Sequence, residues 1–287
     1  MRHDADTLSS ALPPLLAEAE RLAATIVLGL HGRRRAGHGE NFWQYRRAMP
    51  GDTLGAIDWR RSARSDRLYV RETEWEVAQT VSFWVDQSAA MTYCSSGKLQ
   101  SKGTRAALLS LAAAVALTRG GEKIALLGGP VEKPKRGARQ LEAIAQELSH
   151  PGVAADFSAP PLTRFSQGSR AVFASDFLGP RDNLIQQVGR AADQGVKGCL
   201  LHILDPAEES FPFDGRVRFT SMGGDIRYET DRARALKPAY QDKLAARKDA
   251  LRDLARQTGW LYLHHLTNDS PRPALLWLYA ALEGFRQ

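Results

Sequence analysis

Two aspartates in this 287-residue chain each follow an apolar run, and each has a serine close by. Asp86 ends the run VSFWVD and Ser88 comes two residues later, whereas Asp176 ends the run AVFASD and directly follows Ser175. If the two runs are neighbouring parallel strands, both carboxylates point into one crevice beyond the carboxyl ends of the strands. Carboxylate and hydroxyl oxygens suit Mg²⁺ or Mn²⁺ better than zinc. The spacing therefore indicates a candidate divalent-metal site at Asp86, Ser88 and Asp176.

A structural role for the two aspartates is the alternative. Carboxylates at strand ends also cap the helix that follows, and Ala90, two residues beyond Ser88, has no side-chain oxygen to offer a metal. The motifs G-x-S-x-G, H-E-x-x-H and G-x-x-x-x-G-K-[ST] do not occur in the sequence. No general base can be placed beside a nucleophile. The sequence therefore predicts a protein that is not an enzyme.

From residue 77 onward, strand-like apolar runs alternate with helical patterns. The strand candidates are residues 80–86, 123–129, 170–176, 198–205 and 259–266. The helix candidates are residues 101–119, 137–149, 180–194, 235–258 and 272–284. Continuously apolar strands joined by helices indicate a parallel sheet. We therefore predict a doubly wound, mostly parallel α/β sheet with helices on both faces, and a small β-hairpin within the turn-rich stretch 206–232.

The chain before this sheet divides into two further parts. Apolar residues recur at helical spacing in 8–30, with two prolines in the first turn. We predict an N-terminal helix in 1–31, a basic signature segment with short strands in 32–76, and the α/β domain in 77–287. The sequence has no signal-peptide pattern and no apolar run of about 20 residues. These features predict a cytoplasmic protein.

Arginine is concentrated in the signature segment. The chain has a formal net charge of +7, and residues 32–72 contain ten arginines, no lysine and five acids. Such a patch favours an anionic partner: nucleic acid, an acidic protein surface or phosphate. Arg33, Arg34 and Arg35 form an unbroken basic run, and we predict that they contact a partner.

Several short elements of this region, in chain order, resemble a known bacterial family. They are Pro50-Gly51-Asp52, Ile57-Asp58-Trp59, Ala63-Arg64, Arg71-Glu72 and Asp86-x-Ser88. The combination resembles the domain of unknown function 58 family. Members of that family look like von Willebrand factor type A domains preceded by this signature. The resemblance implies a doubly wound sheet that carries a metal-ion-dependent adhesion site.

The site implied by this resemblance is incomplete here. Such sites use Asp-x-Ser-x-Ser, a threonine on a second loop and an aspartate at the end of a later strand. Asp86, Ser88 and Asp176 match by position, whereas Ala90 replaces the second serine. The second loop, expected near residues 132–140, has no threonine, and an arginine in its place would repel a cation. The resemblance therefore implies a degenerate site at which Mg²⁺ or Mn²⁺ binding is weak or absent.

Two interpretations of the signature remain open. Its interleaved arginines and aspartates could form an intrachain clamp, with Trp59 as a buried anchor. Alternatively they form a docking surface, because arginine and tryptophan are enriched in interface hot spots. We assign a mainly structural role to the signature residues Pro50, Gly51, Asp52, Asp58, Trp59 and Arg64.

The resemblance also implies a function. Proteins of this kind are associated with a MoxR-type AAA+ ATPase, and the pair is thought to act in a chaperone-like maturation or stress system. We therefore expect a non-enzymatic protein–protein interaction module whose client is unknown. The alternative is a nucleic-acid-binding protein that uses the arginine-rich segment 33–71. A steep loss of affinity with added salt would indicate phosphate contacts and favour that alternative.

Overall fold

The computed structural model describes residues 13–30, 42–49, 57–64, 67–73, 79–150, 155–224 and 227–284. The chain divides into two compact units. The larger unit comprises Met1–Gly29 together with Gln79–Gln287, and the smaller unit comprises Leu30–Ala78.

The helices and strands are numbered here in chain order. The first group is α1 (Pro14–Leu30), β1 (Phe42–Arg47), α2 (Trp59–Ser62), β2 (Tyr69–Thr73), β3 (Thr80–Val85), α3 (Lys102–Arg119), β4 (Lys123–Leu126), α4 (Ala138–Ser149) and β5 (Arg170–Ser175). The second group is α5 (Asp182–Asp193), β6 (Lys197–Leu204), α6 (Pro206–Ser210), β7 (Val217–Thr220), β8 (Arg227–Thr230), α7 (Ala233–Thr258), β9 (Leu261–Leu266) and α8 (Pro271–Gly284).

A five-stranded sheet forms the centre of the larger unit. Its strand order is β4-β3-β5-β6-β9, and each neighbouring pair is parallel. The chain moves from β3 outward to β4 and then returns to the other side of β3 to form β5. Strand order therefore reverses between β3 and β5, which creates a crevice at their carboxyl ends.

Helices cover both faces of this sheet, because side chains alternate between the faces along each strand. On one face, Phe83 and Val172 belong to a buried core with side chains of α1, α3, α4 and α8. On the other face, Trp84 and Phe173 belong to a second core with side chains of α5 and α7. The predicted doubly wound α/β architecture is confirmed.

Helix α1 packs on the larger unit of its own chain. It begins at Pro14, as the prolines in the first turn predict, since proline at the first helical position loses no hydrogen bond. Its residues Leu16, Ala19 and Ile26 are buried in the core that contains α3. No helix within the described ranges is both long enough and apolar enough to span a membrane.

The smaller unit contains two antiparallel strands and a short helix. β1 pairs with β2, with Arg46 opposite Val70, so the predicted short strands are present. Asp58 caps helix α2 by accepting a hydrogen bond from the backbone N–H of Arg61 at 3.0 Å. Trp59 begins that helix and is 57% exposed. The interpretation of Trp59 as a buried anchor is therefore wrong.

The predicted hairpin is formed by β7 and β8, which pair antiparallel with Phe219 opposite Tyr228. The short helix α6 before it was not predicted from sequence. A capping box fixes its start, because Asp205 accepts from the backbone at the helix start and Glu208 accepts from the N–H of Asp205. Strand β9 begins at Leu261, two residues later than predicted, since Gly259 ends helix α7 in a left-handed conformation.

Candidate functional site

Asp86 and Asp176 follow the two strands that flank the reversal of strand order. Val85 pairs with Ala174 at the ends of β3 and β5, and the N–H of Asp86 donates to Ala174 O at 2.9 Å. Both aspartates are almost fully buried, with exposures of 2% and 1%. This strand pairing places the two acids at one edge of the sheet, as the sequence predicts.

Asp86 is held by neutral donors. Its Oδ1 accepts from the N–H of Ser88 at 2.8 Å and from the hydroxyl of Ser158 at 2.6 Å. Its Oδ2 accepts from the hydroxyl of Ser175 at 2.6 Å. The Ser175 hydroxyl in turn accepts from the N–H of Phe177 at 2.9 Å. Asp86 therefore joins β3, β5 and the loop after α4.

Asp176 is held by a cation. Its Oδ2 lies 2.7 Å from Lys102 Nζ, and its Oδ1 accepts from the N–H of Leu178 at 3.0 Å. Lys102 Nζ also lies 2.6 Å from Glu208 Oε1. The three side chains Lys102, Asp176 and Glu208, here called the lysine cluster, connect the start of α3, the end of β5 and helix α6.

The Lys102 ammonium stays charged although its side chain is only 1% exposed. Burial acts to lower the pKa of Lys102, but the carboxylates of Asp176 and Glu208 outweigh that effect and raise the pKa above its ordinary value. The ammonium also lies 5.7 Å from the centre of the Tyr93 ring, within range of a cation–π interaction. A buried charge of this kind is tolerated because it is paired and hydrogen-bonded.

A cavity of about 270 Å³ opens beside the lysine cluster. All three cluster side chains line it, together with aromatic residues from the segment that leads into the β7–β8 hairpin and from helix α7. Its exposed apolar residues are Phe157, at 37% exposure, and Met222, at 48%. A polar floor with an apolar rim is typical of a binding site.

A second and larger cleft lies on the Asp86 side of the crevice. It has a volume of about 510 Å³ and is lined by Asp86, Ser88, Leu148, Ser149 and His150, among others. The Ser88 hydroxyl is buried and has no hydrogen-bond partner among the described residues. The predicted residues Asp86 and Ser88 thus line this cleft, whereas Asp176 lines the aromatic cavity.

Sequence reasoning placed the second loop of the site in the wrong stretch. Residues 132–136 run back along β4, where Lys135 bridges Ile124, and Arg136 and Arg139 are exposed and line neither cavity. The loop that reaches Asp86 instead follows α4 and supplies Ser158. The end of α4, and not its start, lies at the carboxyl edge of the sheet. The loop after α4 was therefore the one to examine for a partner of Asp86.

Lys102 and Glu208 were also missed. Lys102 occurs at the start of a predicted helix and Glu208 in the stretch predicted to be turn-rich, and neither belongs to a motif with an interpretable spacing. The available signal was a lysine at the start of a helical pattern whose later residues, 106–117, are almost all apolar. Burial of lysine without a counter-charge is rare, so its position called for an acid partner.

The donor set does not fit a divalent metal ion. Asp176 is already neutralised by the Lys102 ammonium, and a second cation there would be repelled. The oxygens of Asp86 already accept three hydrogen bonds. No group of three or more His, Cys, Asp or Glu side chains suited to a metal occurs in the described part of the chain. Binding of Mg²⁺ or Mn²⁺ by Asp86, Ser88 and Asp176 stays a prediction that this geometry does not favour.

The remaining predicted residues lie in or near the smaller unit. Asp58 has the structural role described above, and Arg64 is exposed just beyond helix α2. Arg33, Arg34, Arg35, Pro50, Gly51 and Asp52 lie outside the described residues.

Fold and site together define an α/β domain whose buried ion-pair cluster lies at the carboxyl edge of a parallel sheet. The sequence matches the family "Protein of unknown function DUF58" over residues 44–250, and the chain belongs to that family. No curated protein matches the chain.

Two solved structures show distant similarity. One is an aerotolerance-related membrane protein from Bacteroides fragilis NCTC 9343 with multiple mutations to serines; it is 11% identical, and the match covers 72% of this chain and 99% of that one, with a TM-score of 0.39. The other is the conserved hypothetical protein BatB from Bacteroides thetaiotaomicron, at 12% identity, with 72% and 98% covered and a TM-score of 0.39. Similarity at this level carries no argument about function.

Proposed function

We propose that this protein is a non-enzymatic protein–protein interaction module, and that it acts as an adaptor for a cytoplasmic MoxR-type AAA+ ATPase in a chaperone-like maturation or stress system. The choice of partner rests on the family resemblance described above. The partner would bind at the carboxyl edge of the sheet, on the side of Asp176.

The observation that supports an interaction surface there is the cavity beside the lysine cluster. Phe157 and Met222 leave a substantial part of their apolar surface in solvent around one opening. Clustered apolar exposure beside buried polar groups is typical of protein contact sites. The charged groups of the cavity floor are paired with one another in Lys102, Asp176 and Glu208, which suits a stable recognition surface.

The test is binding of the purified chain to a purified MoxR-type ATPase from the same organism, measured by biolayer interferometry with ATP and with ADP. Met222→Glu should weaken binding about tenfold or more, because it places a charge in a desolvated contact. Ile185→Glu is the matched control. Ile185 is 46% exposed on helix α5 and lies outside the cavity, so its change should leave affinity unaltered.

Two results would contradict the proposal. Absence of binding by the unchanged protein in both nucleotide states would remove the ATPase as partner. Equal losses for Met222→Glu and Ile185→Glu would remove the cavity as the contact. The predicted contact at Arg33, Arg34 and Arg35 is tested in the same assay by replacing all three with alanine.

Nucleic-acid binding is a second candidate, favoured by a different surface. Arg60, Arg61, Arg64 and Arg67 are all exposed in the smaller unit. Phosphate contacts by such arginines predict a log–log decrease of affinity with salt concentration, with a slope near −0.7 per contact for single strands. Fluorescence polarisation with a labelled single-stranded oligonucleotide at several salt concentrations measures this slope, and a flat response would reject the candidate.

A further inference from the structure

The walls of the cavity beside the lysine cluster are aromatic. Phe211 lies 4.8 Å from Tyr240 and 5.2 Å from Phe213 between ring centres, and Phe213 lies 5.3 Å from Phe219. Phe157 completes this lining from the loop after α4. Aromatic rings present a negative face to their surroundings, so they attract a cation as well as an apolar group.

The same cavity contains an excess of negative charge. Its charged lining residues are Asp156, Asp176 and Glu208 against the single ammonium of Lys102. Lys102 already contacts two of these carboxylates. The protein as a whole is basic, with a net charge of +7, so this acidic cavity is a local departure from the rest of the chain.

The hydroxyl of Tyr240 reports the same local charge. Burial raises the pKa of Tyr240, and the carboxylates of Glu208 and Glu209 raise it further. A negative group would be disfavoured in this cavity, whereas a positive group placed on the rings would gain from Asp156, the lining carboxylate that lies outside the lysine cluster.

We propose that the cavity lined by Phe157, Phe219 and Asp156 binds an arginine side chain presented by a partner protein. Arginine has an apolar stem that can lie against the rings, and its planar, weakly hydrated guanidinium stacks on aromatic faces and pairs with carboxylates. A partner carboxylate, which a metal-ion-dependent adhesion site would take, would meet Lys102, the cation among the described lining residues, which is already paired with Asp176 and Glu208. This inference rests on the proposed interaction function and specifies the chemistry of its partner.

The first experiment uses methyl NMR of the full chain labelled at the methionine methyl groups. Met222 lines the cavity, and Met49, in the smaller unit, is the internal reference. N-acetyl-arginine amide should shift the Met222 signal in a saturable manner and leave Met49 unchanged. N-acetyl-citrulline amide has nearly the same shape without the charge, and its affinity should be lower by about tenfold or more. N-acetyl-glutamate amide should produce no saturable shift.

Asp156→Asn provides the matched variant, because it removes one carboxylate of the cavity while keeping the shape of the side chain. It should weaken binding of N-acetyl-arginine amide several-fold. Asp182→Asn, an exposed change at the start of α5, should have no effect. Unchanged Met91 and Met49 signals in the variant show that its fold is intact.

The inference is overturned if arginine and citrulline amides bind equally, if the glutamate amide binds best, or if Met222 does not respond at tens of millimolar probe. The two proposals can fail separately. ATPase binding without a response to the arginine amide removes only the arginine pocket. A specific response to the arginine amide without ATPase binding removes only the proposed partner.

Discussion

Asp86 and Asp176 are the same chemical group at equivalent places, yet the protein stabilises their charges in different ways. Both follow neighbouring parallel strands and both are almost fully buried. Asp86 accepts hydrogen bonds from one backbone N–H and two serine hydroxyls. Asp176 accepts from one backbone N–H and contacts the Lys102 ammonium.

The difference shows how each flank of the crevice is built. Two serine hydroxyls donate to Asp86, and that flank opens onto the larger cleft, which also contains Ser88 and His150. The counter-charge of Asp176 is the Lys102 ammonium, which also pairs with Glu208 of helix α6. This pairing holds helix α6, and the phenylalanines that follow it, at the edge of the sheet. The ion-paired flank is therefore the one whose cavity is lined by aromatic rings.

The largest effect is expected from Lys102→Met. It leaves the carboxylates of Asp176 and Glu208 buried without a counter-charge, which should lower the free energy of unfolding by about 3–5 kcal/mol. Chemical denaturation followed by circular dichroism measures the loss. Arg256→Met removes an exposed arginine that pairs with Asp253 and should cost about 1 kcal/mol or less. Equal losses of unfolding free energy in the two variants would show that the lysine cluster stabilises the fold no more than an exposed ion pair does.

A rescue variant sharpens this result. Adding Asp176→Asn and Glu208→Gln to Lys102→Met removes the uncompensated charges and should recover a large part of the lost stability. No recovery would mean that Lys102 acts through packing alone.

A smaller effect is expected on the other flank. Ser175→Ala removes the hydroxyl that donates to Asp86 Oδ2 and should lower the free energy of unfolding by about 1.5–3 kcal/mol, the range for hydrogen bonds to charged groups. Ser210→Ala, which removes an exposed hydroxyl bonded to a helix carbonyl, should change it by about 0.5 kcal/mol or less. A loss for Ser175→Ala as large as that for Lys102→Met would erase the distinction between the two aspartates.

Acidification should act on the Asp176 flank, where His202 lies on β6 opposite Ser175 of β5. Burial, followed by the effects of His264 and Lys248, lowers the pKa of His202 well below 6.5. The folded state therefore keeps this histidine neutral, while the unfolded state takes up a proton as pH falls below 6.5. Its contribution to stability is present above that pH and is lost below it.

His202→Asn should reduce the pH dependence accordingly. Between pH 6.5 and 5 the slope of unfolding free energy should fall by up to about 1.4 kcal/mol per pH unit, the value for one proton. The measurement is denaturation at a series of pH values. An identical slope in the variant and the unchanged protein would show that His202 is protonated in the fold.

The smallest effect is expected from metal ions. Chelator treatment followed by isothermal titration with Mn²⁺ or Mg²⁺ should show weak or no binding, and the thermal midpoint should move by about 1 °C or less, because a ligand stabilises a fold only in proportion to its affinity. Asp86→Ala is the control for any heat that appears. Binding that saturates at low millimolar metal and disappears in Asp86→Ala would restore the adhesion-type metal site at Asp86, Ser88 and Asp176.

The fold was predictable to a large extent because its signals are local. Apolar runs of strand length alternating with helical periodicity placed all five strands of the sheet and the five helices α3, α4, α5, α7 and α8 within a few residues. The start of β9 shifted by two residues because Gly259 ends helix α7 in a left-handed conformation, which the apolar pattern does not encode.

The site was only half predictable for the opposite reason. Asp86, Ser88 and Asp176 carry a signal because they lie beside the strands that position them. Ser158 carries none until the direction of α4 is known, since that direction decides which loop reaches Asp86. Trp59 was interpreted as buried from residue type alone, whereas it is 57% exposed.

The sequence by itself determined the parallel α/β sheet, the β7–β8 hairpin and the presence of two acids at one edge of the sheet. The spacing of apolar residues and the length of apolar runs encode these features within short stretches of the chain. Only the tertiary structure decided that Lys102 meets Asp176 and Glu208, which are 74 and 106 residues away. That pairing follows from β5 crossing to the far side of β3, and long-range strand order leaves no trace in any local pattern of residues.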